Sequence, residues 1–152
     1  MRKQFNFLNT REVKRLVTAI KEQFGIDALA LDYYFLKNMK GKINIISKSL
    51  GKINTDSMNV NSIGLYIGKD DNGIRLSIEG SQIIGHLATK NVIELDNDQI
   101  EKWVRGYDIE IKAQFNGYVI VKNNNDYYGC GRYKDGKILN FVPKERRVKT
   151  PV

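Results

Sequence analysis

The sequence predicts an α+β protein made of two closely packed parts: an α/β N-terminal half and a β-rich C-terminal half. Three observations carry that expectation. Two stretches have the signature of a capped amphipathic helix, at Asn9–Gly25 and Asp96–Gly106. Well-marked turns, Asp70-Asp71-Asn72-Gly73, Asn123-Asn124-Asn125-Asp126 and Lys134-Asp135-Gly136-Lys137, separate short strand-like runs. No Pro-, Gly- or Ser-rich linker interrupts the 152 residues, so two parts would have to pack directly on one another.

In chain order, Asn9 is placed to cap the first helix, with Glu12 completing a capping box and Leu8 and Val13 at the staple positions. Val13, Leu16, Val17, Ile20 and Phe24 recur at helical spacing, and Gly25 is the expected C-terminal cap. Lys14, Arg15 and Lys21 lie off that apolar face and read as solvated surface. Asp32–Lys37 and Lys42–Ser47 are strand-like around a turn at Met39-Lys40-Gly41. In the second of these, Ile43 and Ile45 alternate with Asn44, which predicts one buried and one wet face. Ser49–Asn61 reads as loop with a short helical turn. Ile63–Lys69 and Ile74–Ile78 are expected strands, and Glu79–Gly85 a short helix or turn.

Val92–Leu95 reads as a short strand. Asp96 then caps the second helix with Gln99 three residues on, and Ile100, Trp103 and Val104 form its buried side. Tyr107–Lys112 is extended. Three strands follow, Tyr118–Lys122, Tyr127–Tyr133 and Lys137–Val142. Gly129 and Gly131 flank Cys130 in the middle one, which points to a bulge or to close approach of another backbone.

Composition narrows the function. The formal net charge is +8, with 41% hydrophobic residues. Residues 91–130 hold four bases and seven acids, whereas residues 131–152 hold seven bases and two acids. A segregated basic end is the footprint of a polyanion partner, usually nucleic acid. One cysteine and one histidine exclude an internal disulfide, a cysteine-based zinc site and a multi-histidine metal cluster, so no metal or cofactor is expected. The N-terminus lacks the apolar stretch of a secretory signal and no run approaches a membrane span. A cytoplasmic protein with no membrane partner is the expectation.

The stretch from about Thr89 to Lys149 resembles a PUA domain, the small RNA-binding barrel named for pseudouridine synthases and archaeosine transglycosylases. Arg105-Gly106-Tyr107-Asp108-Ile109 is similar to that family's helix exit, and Gly129-Cys130-Gly131-Arg132 to its glycine-containing strand. Upstream, the first capped helix, the YYFLKN hairpin and GLYIGK…GIRLSIEGSQIIG look like the pre-PUA domain of the Nip-family ribosome-biogenesis factors of archaea and eukaryotes. The resemblance implies a pre-PUA α/β domain over 1–86 and a PUA-like β-barrel over 87–152. It also implies RNA contacts at Arg105, Gly106, Tyr107, Gly129, Gly131, Arg132, Lys144, Arg146, Arg147 and Lys149. Arginine suits that role because its planar guanidinium grips a phosphate bidentately or stacks on a base. Tyr107, Tyr127, Tyr128 and Tyr133 offer rings for stacking, although strand aromatics more often serve a core.

Nothing in the sequence makes a nucleophile elbow or a P-loop. His86 reads as a surface residue and Cys130 as a small buried one. The acidic pairs Asp70-Asp71 and Asp96-Asp98 are accounted for by turn and cap chemistry. Three readings remain. The first is a non-catalytic RNA-binding factor for rRNA maturation or ribosome assembly, with pre-ribosomal particles as partners. The second is an accessory subunit delivering tRNA or rRNA to a separate RNA-modifying enzyme. The third is a small enzyme with a dispersed site.

Overall fold

The computed structural model describes residues 5–48 and 64–149. The Ser49–Asn61 loop expectation and the strand start at Ile63 lie outside the described residues. Among the described residues, ten strands form two five-stranded sheets.

The first sheet is an antiparallel meander, β1 (Phe5–Phe7), β2 (Tyr33–Asn38), β3 (Lys42–Ser47), β4 (Leu65–Asp70) and β5 (Ile74–Leu76), each strand beside the next. Helix α1 (Thr10–Phe24) starts at the expected box: the Asn9 side chain accepts from the Glu12 amide at 2.8 Å and the Glu12 carboxylate from the Asn9 amide at 3.0 Å. It ends at Gly25 in the left-handed region, φ 62°. Its buried Leu16, Ile20 and Phe24 join a core with Phe35, Ile43, Ile45, Ile67, Ile74 and Leu76. Each such side chain stabilises the fold by about 1.5–3 kcal/mol through removal from water.

The wet face expected for β3 is not observed. Asn44 is buried together with Ile43, Ile45 and Ile46. Its neighbours in register are the fully buried Leu36 and the half-buried Tyr66, so that face too is covered by adjacent side chains.

The second sheet runs β6 (Val92–Glu94), β8 (Gly117–Asn123), β9 (Asp126–Lys134), β10 (Lys137–Leu139), β7 (Ile109–Glu110). It is a curled half-barrel: β6 pairs with β8 in parallel, and the other pairs are antiparallel. Helix α3 (Asn97–Val104) carries the second predicted capping box, Asp96 with Gln99. Trp103, fully buried, centres a core with Leu95, Ile109, Val119, Val121 and Ile138. Asp135 and Gly136 both have positive φ, 52° and 79°, as a two-residue hairpin turn of this hand requires.

The halves meet through the opposite face of the same strands. Ile120 and Cys130 point away from Trp103 and into the α1 core. The run Tyr118-Val119-Ile120-Val121 is therefore apolar without a break, as expected for a strand buried on both sides. Helix α2 (Ile78–Ile84) ties the junction. Its Gly80 lies against the Ile67 backbone, where any β-carbon would collide. The fully buried Ser81 hydroxyl donates to Ile78 O at 2.7 Å and accepts from the Gly129 amide at 2.8 Å.

Candidate nucleic-acid interface

The glycine strand contains the expected bulge. Between the pairs Ile120–Cys130 and Lys122–Tyr127, β8 advances two residues and β9 three. Gly129 sits in the extra position with φ 89°, so its conformation favours glycine. Gly131 has a different reason. A β-carbon there would meet Ile138, the Leu139 carbonyl and the Trp103 ring. The close approach that Gly131 permits is made by the protein's own core, and both glycines are buried.

The remaining sequence-predicted residues fall into two groups. The first gathers at the exit of α3. Arg105 bonds Glu101 at 2.9 Å, one turn back on the helix. Gly106 follows with φ 97°, and the Arg147 side chain lies directly over it. Arg147 Nε donates to Val142 O at 3.0 Å, and the Val148 amide donates to Val104 O at 2.8 Å. The basic C-terminal segment is thus docked along α3. Lys144–Arg146 forms a single 3-10 turn within it, which presents Lys144 and Arg146 to solvent. Lys149 is exposed at its end. Arg146 reaches across to Glu79 on α2, 2.6 Å away. Tyr107 is exposed, while its backbone carbonyl is held by Asn140 Nδ2 at 2.9 Å.

The second group lies around Arg132. Its guanidinium sits 5.9 Å from the centre of the Tyr118 ring, and Tyr118 meets Phe141 edge-on at 6.0 Å. Arg75, from β5 of the N-terminal half, covers the other ring, 4.5 Å from the Phe141 centre. Sequence reasoning did not single out Arg75 or Phe141. The only available signal for Arg75 was its place between two apolar strand residues, Ile74 and Leu76, which turns it outward. Burial, aided by the nearby Asp71 carboxylate that accepts its hydroxyl at 3.2 Å, raises the Tyr118 phenol above its usual range.

Of the four tyrosines considered for stacking, three are half-buried supports. Tyr127 lies against Gly85 beside the α1 core. Tyr128 carries the carbonyl that accepts from the Trp103 indole at 3.1 Å. Tyr133 bonds Ile111 O and the Ala113 amide. Only Tyr107 among the four has an exposed ring. Cys130 is buried, and desolvation pushes its thiol up to about 12, so it is neutral and shielded. His86 is exposed. Among the described residues there is no cluster of three metal-ligating side chains, and no helix is long and apolar enough to cross a membrane.

Between the two groups runs a cleft at the junction of the halves. One part, about 110 Å³, is lined by Tyr66, Arg75, Phe141 and Arg146. A shallower part, about 320 Å³, continues along Gln82, Val104, Tyr127 and Val148. Arg146 borders both.

Comparison with known proteins places this geometry. Residues 90–148 match the family described as the methyltransferase RsmF PUA domain. The chain is 26% identical over 102 residues to ribosomal RNA small subunit methyltransferase F of Vibrio vulnificus, strain YJ016, covering 67% of this chain and 21% of that protein. The Vibrio cholerae protein of the same name, strain M66-2, is 27% identical over 74 residues, 48% of this chain and 16% of the relative. The chain spans about a fifth of the length of these curated relatives. The match is to the methyltransferase type of PUA domain, and it does not extend to the Nip-family, archaeal type that the sequence resembles. Residues 90–148, which hold α3, the second sheet and the docked basic turn, carry a PUA-like domain.

Proposed function

We propose that this chain is a non-catalytic RNA-binding protein that acts in rRNA modification, holding RNA for a methyltransferase active site that lies outside these residues. The observation that carries the reading is the docked basic segment, the turn Lys144–Arg146 with Arg147 laid over Gly106, within the PUA-like domain. A free tail would lose conformational entropy on binding RNA, whereas a docked one presents its cations already ordered. Rings and arginines beside a cleft suit unpaired nucleotides, since A-form duplex hides its base edges in a narrow groove. RNA with unpaired nucleotides beside a short stem is the proposed ligand, in preference to duplex DNA. The division into 1–86 and 87–152 is functional in this reading, with the second part as the primary RNA reader and the first as its support. The cytoplasm is the proposed compartment.

The test is recovery of the tagged chain from cells after crosslinking, with sequencing of bound RNA and mass spectrometry of bound proteins. Enrichment of small-subunit rRNA with one methyltransferase supports this reading. Co-purification of pre-ribosomal particles without a modifying enzyme supports the assembly-factor reading that the Nip-family resemblance favours. Absence of any RNA above an untagged control overturns both. Methyl transfer to rRNA by the purified chain alone, given a labelled methyl donor, overturns the non-catalytic assignment.

A further inference from the structure

We infer that the junction cleft is a second RNA contact, which seats one unpaired nucleotide against Phe141, while Arg75 in the cleft wall and Arg132 on the far side of Tyr118 hold the flanking phosphates. The inference rests on the RNA-binding reading and adds to it a site shared by both halves of the chain.

Four side chains, from β5, β8, β9 and the segment after β10, form a row with an arginine at each end and two rings between. Arg75 covers Phe141 at 4.5 Å, Phe141 meets Tyr118 at 6.0 Å, and Arg132 covers Tyr118 at 5.9 Å. Cations over ring faces are attracted by the ring quadrupole. Tyr66 lines the same cleft, and Lys42 lies 5.5 Å from the centre of its ring.

The arginines of this row differ from those at the helix exit. Arg105 and Arg146 spend their charge on Glu101 and Glu79. Arg75 and Arg132 make no ion pair among the described residues. The Asp71 carboxylate beside them accepts from the Tyr118 hydroxyl. Their positive charge is therefore available to an anion, and the rings hold the guanidinium planes in place.

Phe141 is the exposed ring, with 37% of its surface accessible. It lines a cleft of about 110 Å³ that Tyr66 also lines. That volume is below the ~150 Å³ cavity that holds one benzene ring, so the open cleft admits one ring at most and excludes a duplex. A flat heterocycle carrying an anionic group on each side satisfies the rings and both arginines, and an unpaired nucleotide within RNA is that ligand. Base–aromatic stacking of this kind tolerates any base, because every base has a π-face.

Two probes test the inference by fluorescence anisotropy: a blunt RNA hairpin, and the same hairpin with a single-stranded extension. Wild type should bind the extended hairpin more tightly. Phe141→Ala and Arg75→Ala should each weaken the extended hairpin about five- to hundred-fold and leave the blunt one within about twofold. Phe141→Leu, which keeps apolar packing on Tyr118 but loses the ring, should behave as Phe141→Ala and serves if the alanine variant does not fold. Arg75→Lys should fall between wild type and Arg75→Ala. Equal weakening on both probes, no weakening on either, or equal wild-type affinity for the two overturns the inference and leaves the RNA-binding reading standing. If wild type binds neither probe, the RNA-binding reading fails and this inference with it.

Discussion

The Arg147 side chain lies across Gly106 so closely that a β-carbon at 106 would come within 2.5 Å of its Cδ and Nε. Two separate constraints coincide at this glycine. Its φ of 97° is a conformation that L side chains rarely adopt, and its bare α-carbon makes room for the arginine stem. The exit of α3 and the basic C-terminal segment are therefore one structural unit, closed by the bond from the Val148 amide to Val104 O.

Gly106→Ala should accordingly destabilise the protein by about 1–3 kcal/mol, through backbone strain and displacement of Arg147. Urea unfolding measures this. In an Arg147→Ala background the steric part disappears while the strain remains, so the same glycine substitution should cost less. Equal costs in the two backgrounds would show that Arg147 does not press on residue 106.

Gly131→Val tests the interior role of the second glycine. The added side chain would enter the space of Ile138 and the Trp103 ring, and overpacking of this kind typically costs about 1–3 kcal/mol, occasionally more. The fluorescence of Trp103, the single tryptophan, should change with the substitution. Any loss of RNA affinity should track the unfolded fraction. A variant of wild-type stability with unchanged fluorescence that nonetheless fails to bind RNA would return Gly131 to the contact surface.

Cys130 sets an alkaline limit. Burial holds its thiol protonated up to about 12 in the folded chain, against 9.0 for an unperturbed thiol. The unfolded chain therefore releases a proton between those values that the folded chain keeps. The stabilising contribution is complete below about pH 9 and is lost as pH rises toward about 12. The Tyr118 phenol, also raised by burial, acts in the same direction. Thermal melts of wild type should fall more steeply above pH 9 than those of Cys130→Ala, which lacks this group but starts less stable because of its smaller volume. Parallel declines would show that the thiol does not contribute. Native Cys130 should also resist alkylation at neutral pH.

Much of the fold was legible because its determinants are local. Both capping boxes, the Gly25 exit, the Asp70–Gly73 turn and the two C-terminal hairpins follow from residues within four positions of one another. The burial of Asn44 was not legible, since the alternation in β3 says nothing about what adjacent strands place on the other face. The site divides in the same way. Clustered charge marked Lys144, Arg146 and Arg147, but whether that segment is free or docked depends on Val104 and Gly106, some 40 residues earlier in the sequence. Arg75 and Phe141 meet only because Ile120 and Cys130 bury the second face of the C-terminal sheet against the N-terminal core. No spacing within either half records that encounter.

The docked turn contains one free and one restrained cation, and the difference predicts two opposite effects on RNA binding. Lys144 is exposed and forms no ion pair among the described residues. If it neutralises one phosphate, Lys144→Ala should weaken binding and reduce the salt slope by about 0.7 for single-stranded RNA. Arg146 is held by Glu79 at 2.6 Å, with both side chains partly exposed. An ion pair of that exposure contributes about 0–1 kcal/mol to stability, so losing it is tolerable. Glu79→Gln should therefore leave the fold intact, release Arg146 toward the cleft, remove a nearby negative charge, and tighten RNA binding with a steeper salt slope. In an Arg146→Ala background the same Glu79→Gln change should have little effect. Anisotropy titrations across a salt series measure wild type and the four variants. If Glu79→Gln tightens binding equally with and without Arg146, the carboxylate acts only as a general repulsive charge, and the restraint of Arg146 by α2 has no part in RNA affinity.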